Sequence, residues 1–137
     1  MEMNKTMVNE SASANGGDAE IYVVDDEPML LELASVILEP LGYRIKTFRS
    51  PEAAIKEFKS AQPQPALIIT DYAMHTMNGL ELIEACRRIH PSQKTLMVSG
   101  TVGPEIYEDN PTRPDLFLAK PYQAKELIEA VKAMLPD

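Results

Sequence analysis

Four short segments of the chain, 21–24, 66–70, 95–98 and 116–119, are apolar on successive residues instead of alternate ones. A strand with one wetted face alternates. A strand that is apolar throughout is buried on both faces, the usual condition in a parallel sheet with helices on each side. A weaker fifth run lies at 43–48. Amphipathic stretches fill the intervals. Leu30, Leu33, Ala34, Ile37 and Leu41 follow helical spacing behind Pro28, a residue suited to a first helical turn. Ser50 and Pro51 read as a cap and first turn for a helix whose inner face is Ala54, Ile55 and Phe58. A third helix opens at Asn78 or Gly79, carries Leu80, Leu82, Ile83, Cys86 and Ile89, and ends near Pro91. A last one carries Leu127, Ile128, Val131, Met134 and Leu135. Five strands alternating with helices predict an α/β fold, a doubly wound five-stranded parallel sheet with helices on both faces.

Between 100 and 115 the alternation weakens. Gly100, Gly103, Pro104, Pro111 and Pro114 limit any fourth helix to about Pro104–Asn110, so this helix is expected to be short or irregular. Residues 1–19 show no period and include Gly16-Gly17. A disordered tail is expected there, followed by one domain over 20–137. The last helix reaches the chain end, so no output module is expected after it.

Composition narrows the function. The net charge of -8 disfavours direct nucleic-acid binding, which needs clustered Lys and Arg. A single cysteine, Cys86, excludes an internal disulfide framework and reads as a packing thiol. No run approaches the ~20 apolar residues of a membrane span, and no secretory signal opens the chain. A cytoplasmic protein is expected.

Chemistry collects where the runs end. Asp25 and Asp26 follow the first run, Asp71 the second, Ser99 the third and Lys120 the fourth. In open α/β sheets, ligands bind at the strands' carboxyl ends, where strand order reverses. A lone aspartate at such a point is commonly a helix cap or turn former. Three acids, a hydroxyl and an ammonium placed in order at four strand ends are far more specific. Like charges held together resist joint ionisation unless a cation intervenes, and hard cations such as magnesium prefer carboxylate and carbonyl oxygens. The set suits phosphoryl transfer to a carboxylate, with Lys and Ser holding oxygens.

On these residues the chain resembles the receiver domain of two-component response regulators, over about 20 to 135. The resemblance is carried by Val23-Val24-Asp25-Asp26-Glu27 and by Ile68-Ile69-Thr70-Asp71-Tyr72-Ala73-Met74 leading to Met77-Asn78-Gly79. Val98-Ser99-Gly100 and Leu118-Ala119-Lys120-Pro121-Tyr122 complete it. It implies a flavodoxin-like strand order 2-1-3-4-5. Asp71 would be the phosphoacceptor, charged by a histidine kinase or histidine phosphotransfer protein. Asp26, Asp71 and the Ala73 carbonyl would ligate Mg2+, and Asp25 would act through a bound water. Ser99 and Lys120 would hold phosphoryl oxygens, and Lys120–Pro121 would be cis. Phe117 stands at the switch aromatic's position, and reads equally as a core residue of the last strand. The downstream protein target is not named by any motif.

The chain departs from the family pattern at three places. His75 stands where proline is frequent, and is expected as a solvated loop histidine facing away from the acid rim. Ala73 and Thr101, two past Asp71 and Ser99, occupy positions that touch the hydrolytic water in this family, and alanine cannot orient water through its side chain. The third departure is the proline-rich stretch 103–114, which falls where the family builds its fourth helix.

The competing readings are an unphosphorylated pseudo-receiver acting as an interaction module, and a magnesium phosphatase with an aspartyl nucleophile. The phosphatase signature separates its two acids by one residue, whereas Asp25 and Asp26 are adjacent. A nucleotide-binding module needs glycines and amide donors in its first turn, which here is Asp25-Asp26-Glu27-Pro28. The leading expectation is a phosphoacceptor and not an enzyme, acting as relay shuttle, diffusible effector or piece of a hybrid kinase.

Overall fold

The computed structural model describes residues 19–136. Five parallel strands are present: β1 Glu20–Val24, β2 Arg44–Phe48, β3 Leu67–Asp71, β4 Thr95–Ser99 and β5 Leu116–Ala119. Their order across the sheet is β2-β1-β3-β4-β5, as expected. Among the described residues four α-helices accompany them: α1 Pro28–Leu38, α2 Pro51–Ser60, α3 Gly79–Ile89 and α4 Ala124–Met134. The chain turns from one flank of the sheet to the other between β1 and β3, which opens a crevice at their carboxyl ends.

Side-chain alternation divides the core into two layers. Ile21, Val23, Leu67, Ile69, Leu96 and Val98 face one side, packed with Leu31, Ala34 and Leu38 of α1 and Leu127 and Val131 of α4. Tyr22, Val24 and Ile68 face the other, packed with Ala54 and Phe58 of α2 and Leu82 and Cys86 of α3. Because both faces are covered, β1, β3 and β4 are apolar on consecutive residues. The outer strands differ. β2 and β5 are at most half-buried, and Ala119 is exposed, so the run 116–119 is an edge strand and not a doubly buried one.

Local signals set the helix starts. Ser50 Oγ accepts from Ala53 N, and Asn78 and Glu81 form a reciprocal capping box at α3. The inner face of α1 corrects the sequence reading. Leu31, Ala34 and Leu38 are buried, whereas Leu33 is 43% exposed, with Met29 and Val36 more so. Ile89 at the end of α3 is also exposed.

The irregular segment between β4 and β5 holds one 3₁₀ turn, Pro104–Tyr107, in place of a fourth-position α-helix. Pro111 and Pro114 deny it the amide donors that a longer helix needs. Arg87 of α3 pins the segment's far end, donating to the Arg113 and Gln93 carbonyls and pairing with Asp115 at 2.9 Å. The tail expected over 1–19 lies outside the described residues except for Ala19, which packs at the margin of the core.

Candidate functional site

Asp25 leaves β1 with its amide bonded to Phe48 O, and its Oδ1 accepts from Glu27 N at 2.9 Å. The side chain is thereby fixed in the crevice and almost wholly buried. Asp71 is the last residue of β3; Tyr72 N donates to Val98 O and Gly79 N to Tyr72 O, which folds the following loop back over the strand end. A Cβ at Gly79 would stand 2.6 Å from Asp71 O, so only glycine permits this approach. Asp26 is the most open of the three acids. One carboxylate oxygen from each of Asp25, Asp26 and Asp71 lies within 4.8 Å of the others.

Lys120 enters from the end of β5, where its amide donates to Ser99 O. Its Nζ lies 3.1 Å from Asp25 Oδ2 and 3.2 Å from Asp71 Oδ1, bridging the two buried acids. Burial raises the Asp71 carboxyl above the ordinary carboxylate range, against the pull of Lys120. Burial works against the charge on Lys120, yet its bonds to Asp25 and then Asp71 leave its affinity for the proton raised. The Lys120–Pro121 bond is cis, as expected; Gln62–Pro63 is cis as well.

Ser99 is buried, and its Oγ accepts from Thr101 N and Val102 N, each at 3.1 Å. Phe117 is half-buried on β5, and its ring centroid lies 6.5 Å from that of Tyr107. Ala73 sits exposed on the loop after β3. Cys86 is buried with its thiol pushed up to about 12 by desolvation, in keeping with a packing role.

His75 is a correction. The loop after β3 carries it toward the acids, and its Nδ1 lies 3.9 Å from Asp26 Oδ2. The ring is 91% exposed, as a solvated loop histidine should be, but it does not face away from the rim. Thr101, which the sequence marked as a departure two past Ser99, sets its Oγ1 3.3 Å from Ser99 Oγ. Two further participants escaped the sequence reading: Gly79 lies against the Asp71 backbone, and Tyr122 is half-buried beside Lys120, with burial raising its phenol. The Asn78-Gly79 pair carried a signal for the first, as a helix start bearing a glycine directly after the cap.

The response regulator receiver domain family matches residues 21–132. The chain belongs to that family. Its receiver is 33% identical over 112 residues to the nitrogen assimilation regulatory protein NtrX of Azorhizobium caulinodans, covering 80% of this chain and 24% of NtrX. It is 26% identical over 117 residues to the response regulator receiver protein CpdR of Brucella abortus, covering 84% of this chain and 95% of CpdR. The chain thus spans about a quarter of NtrX and nearly all of CpdR. Among solved structures it resembles the response regulator TrrA of Thermotoga maritima in complex with Mg2+–BeF. That match has a TM-score of 0.74 and 31% identity, over 85% of this chain and 99% of TrrA. Receiver domains are signalling modules of two-component systems, and the receiver's five strands and crevice hold that geometry here. Among the described residues, no helix is long and apolar enough to cross a membrane.

Proposed function

We propose that this receiver takes a phosphoryl group onto Asp71 from a phosphohistidine of a histidine kinase or phosphotransfer protein, and thereby changes its protein contacts. The observation that carries the reading is the Asp25–Asp26–Asp71 cluster with Lys120 bridging Asp25 and Asp71 at the carboxyl ends of the strands.

The carboxylate set fits a hard divalent cation such as Mg2+. Asp26, Asp71 and the Ala73 carbonyl would hold it directly, and Asp25 through a water. When bound, the cation supplies positive charge to the phosphoryl oxygens. Asp71 Oδ attacks phosphorus, the P–N bond to the donor imidazole breaks, and the imidazole leaves with the bonding pair. Lys120, already 3.2 Å from Asp71, exchanges carboxylate for phosphoryl oxygen as its partner. Ser99 Oγ, which accepts from the amides of Thr101 and Val102, donates its hydroxyl proton to another oxygen as it shifts toward the phosphoryl group, and Phe117 turns with it.

The surface beside the crevice suits a partner helix. Met29, Leu33 and Val36 form one exposed apolar stripe along α1. Next to it, a cavity of about 350 Å³ is lined by Leu30, Leu33, Gly100, Lys120, Pro121 and Tyr122. A donor seated there reaches Asp71 from the open side of the site, in the cytoplasm where kinase and phosphotransfer domains act.

The test is incubation with Mg2+ and acetyl phosphate, followed by intact-mass measurement. Wild type gains one phosphoryl group and Asp71→Asn gains none. No addition to wild type, together with no binding of beryllofluoride, leaves the chain a pseudo-receiver.

A further inference from the structure

Of the side chains around the crevice, His75 is the one that the phosphoryl chemistry leaves without a task. Its Nδ1 lies 3.9 Å from Asp26 Oδ2, and Asp26 is its one ionic partner among the described residues. Two ligands of a tetrahedral first-row ion, each ~2.0–2.2 Å from it, stand roughly 3.3–3.6 Å apart. The His75–Asp26 separation of 3.9 Å is a few tenths of an ångström wider, a gap that a small turn of the exposed ring closes. With 91% of the side chain exposed, the ring gives up only water when it turns toward an ion. Asp26 is itself a quarter exposed, so the two can close on an ion without disturbing the core.

The donor chemistry then changes. Oxygen alone suits magnesium, whereas imidazole nitrogen suits zinc, cobalt and nickel and adds little for magnesium. Proline, frequent at this position in the family, carries no donor. Resting on the receiver reading of the acid cluster, we infer that His75 adds an imidazole ligand to the cation seat at Asp26, so that the seat takes a first-row transition cation such as Zn2+ in competition with Mg2+. The carboxylates serve both ions; His75 serves one.

Calorimetric titration of the full chain with ZnCl2 and with MgCl2 tests this, using wild type, His75→Ala, His90→Ala and Asp26→Asn. His75→Ala is expected to weaken Zn2+ by about tenfold or more while Mg2+ stays within about twofold. His90→Ala, which removes the chain's other histidine, should leave both unchanged. Co2+ bound to wild type should show visible absorption bands that shift in His75→Ala. Unchanged Zn2+ affinity in His75→Ala overturns the inference, as does an equal loss of both metals or a wild type that binds Zn2+ no more tightly than Mg2+. A wild type that binds no Mg2+, or an Asp26→Asn variant that binds it normally, instead removes the receiver's cation seat. Zn2+ affinity alone is then no support.

Discussion

Lys120 Nζ stands 3.2 Å from Asp71 Oδ1 while holding Asp25 Oδ2 at 3.1 Å, so a single ammonium offsets two buried carboxylates. The arrangement stores an electrostatic imbalance at the strand ends. Two acids share one cation in a site that excludes most water, and the third acid, Asp26, lies within 4.8 Å. A divalent ion or a protonated carboxyl relieves it.

Removing the ammonium should therefore show a cation-dependent cost. Lys120→Met leaves Asp25 and Asp71 facing each other, and without Mg2+ it is expected to lose about 2 kcal/mol of stability, less than a fully dry pair would. Added Mg2+ should recover much of the loss. Urea unfolding of both proteins, with and without MgCl2, measures it. An equal deficit in both conditions would show that the lysine acts by packing its stem and not by its charge.

Asp71→Asn is expected to stabilise the protein. Burial raises the Asp71 carboxyl above its unfolded value, so the folded state favours the neutral form. That preference contributes fully below the unfolded pKa, ~4, and is lost as pH rises through the raised folded pKa. Wild type and Asp71→Asn should thus have similar stability in acid and separate on the way to neutrality, the variant ending a few degrees higher in Tm. The Lys120 proton is held more tightly in the folded state, so its contribution persists at neutral pH and fades only in alkali, above ~10. Thermal melts from pH 3 to 8 read the first effect. A Tm difference that does not change over this range would refute it.

Gly79→Ala tests how the loop after β3 is held. The added methyl carbon meets Asp71 O at 2.6 Å and Tyr72 Cα at 3.1 Å, both backbone atoms that cannot swing aside. The α3 start or the β3 end must shift, at a cost of about 1–3 kcal/mol. Because the shift moves the Asp71 backbone, the rate of labelling by acetyl phosphate should fall as well. Gly103→Ala is the control, since its near neighbour is the flexible end of Glu105. Equal effects from the two variants would remove the special position of Gly79.

Most of this site could be read from strand ends alone. Asp25, Asp26, Asp71, Ser99 and Lys120 each terminate or follow a run that is apolar on successive residues, and a parallel sheet brings such ends to one rim. The faces of α1 could not be read this way. From Met29 to Leu38 only Glu32 and Ser35 are polar, so helical periodicity has no contrast from which to choose Leu31 and Leu38 over Leu33. The direction of His75 was hidden for another reason. It depends on how a loop folds over β3, which the Gly79 contact and the Gly79 N–Tyr72 O bond decide, and neither has a periodic signal. The edge character of β5 was hidden as well, because an edge strand can be as apolar as a central one.

The last prediction concerns how the signal leaves the site. Ser99 Oγ accepts from the amides of Thr101 and Val102, so a hydroxyl that moves to donate its own proton to a phosphoryl oxygen pulls on the first turn of the 100–115 segment through these bonds. Downstream, Tyr107 packs its ring 6.5 Å from that of Phe117, while Arg87 fixes Arg113 and Asp115 to α3. A pull on Ser99 should therefore act on the turn Pro104–Tyr107 and stop at the Arg87 anchor. Hydrogen exchange with and without beryllofluoride and Mg2+ is expected to change at 100–110 and hardly at 113–116. Ser99→Ala should still bind beryllofluoride but lose the change at 100–110, because no hydroxyl then links the phosphoryl group to the turn. Tyr107→Ala should leave labelling of Asp71 intact and separate the turn from Phe117, so that protection near 117 no longer responds. Protection that is unchanged throughout 100–117 in wild type would exclude this segment as the switch.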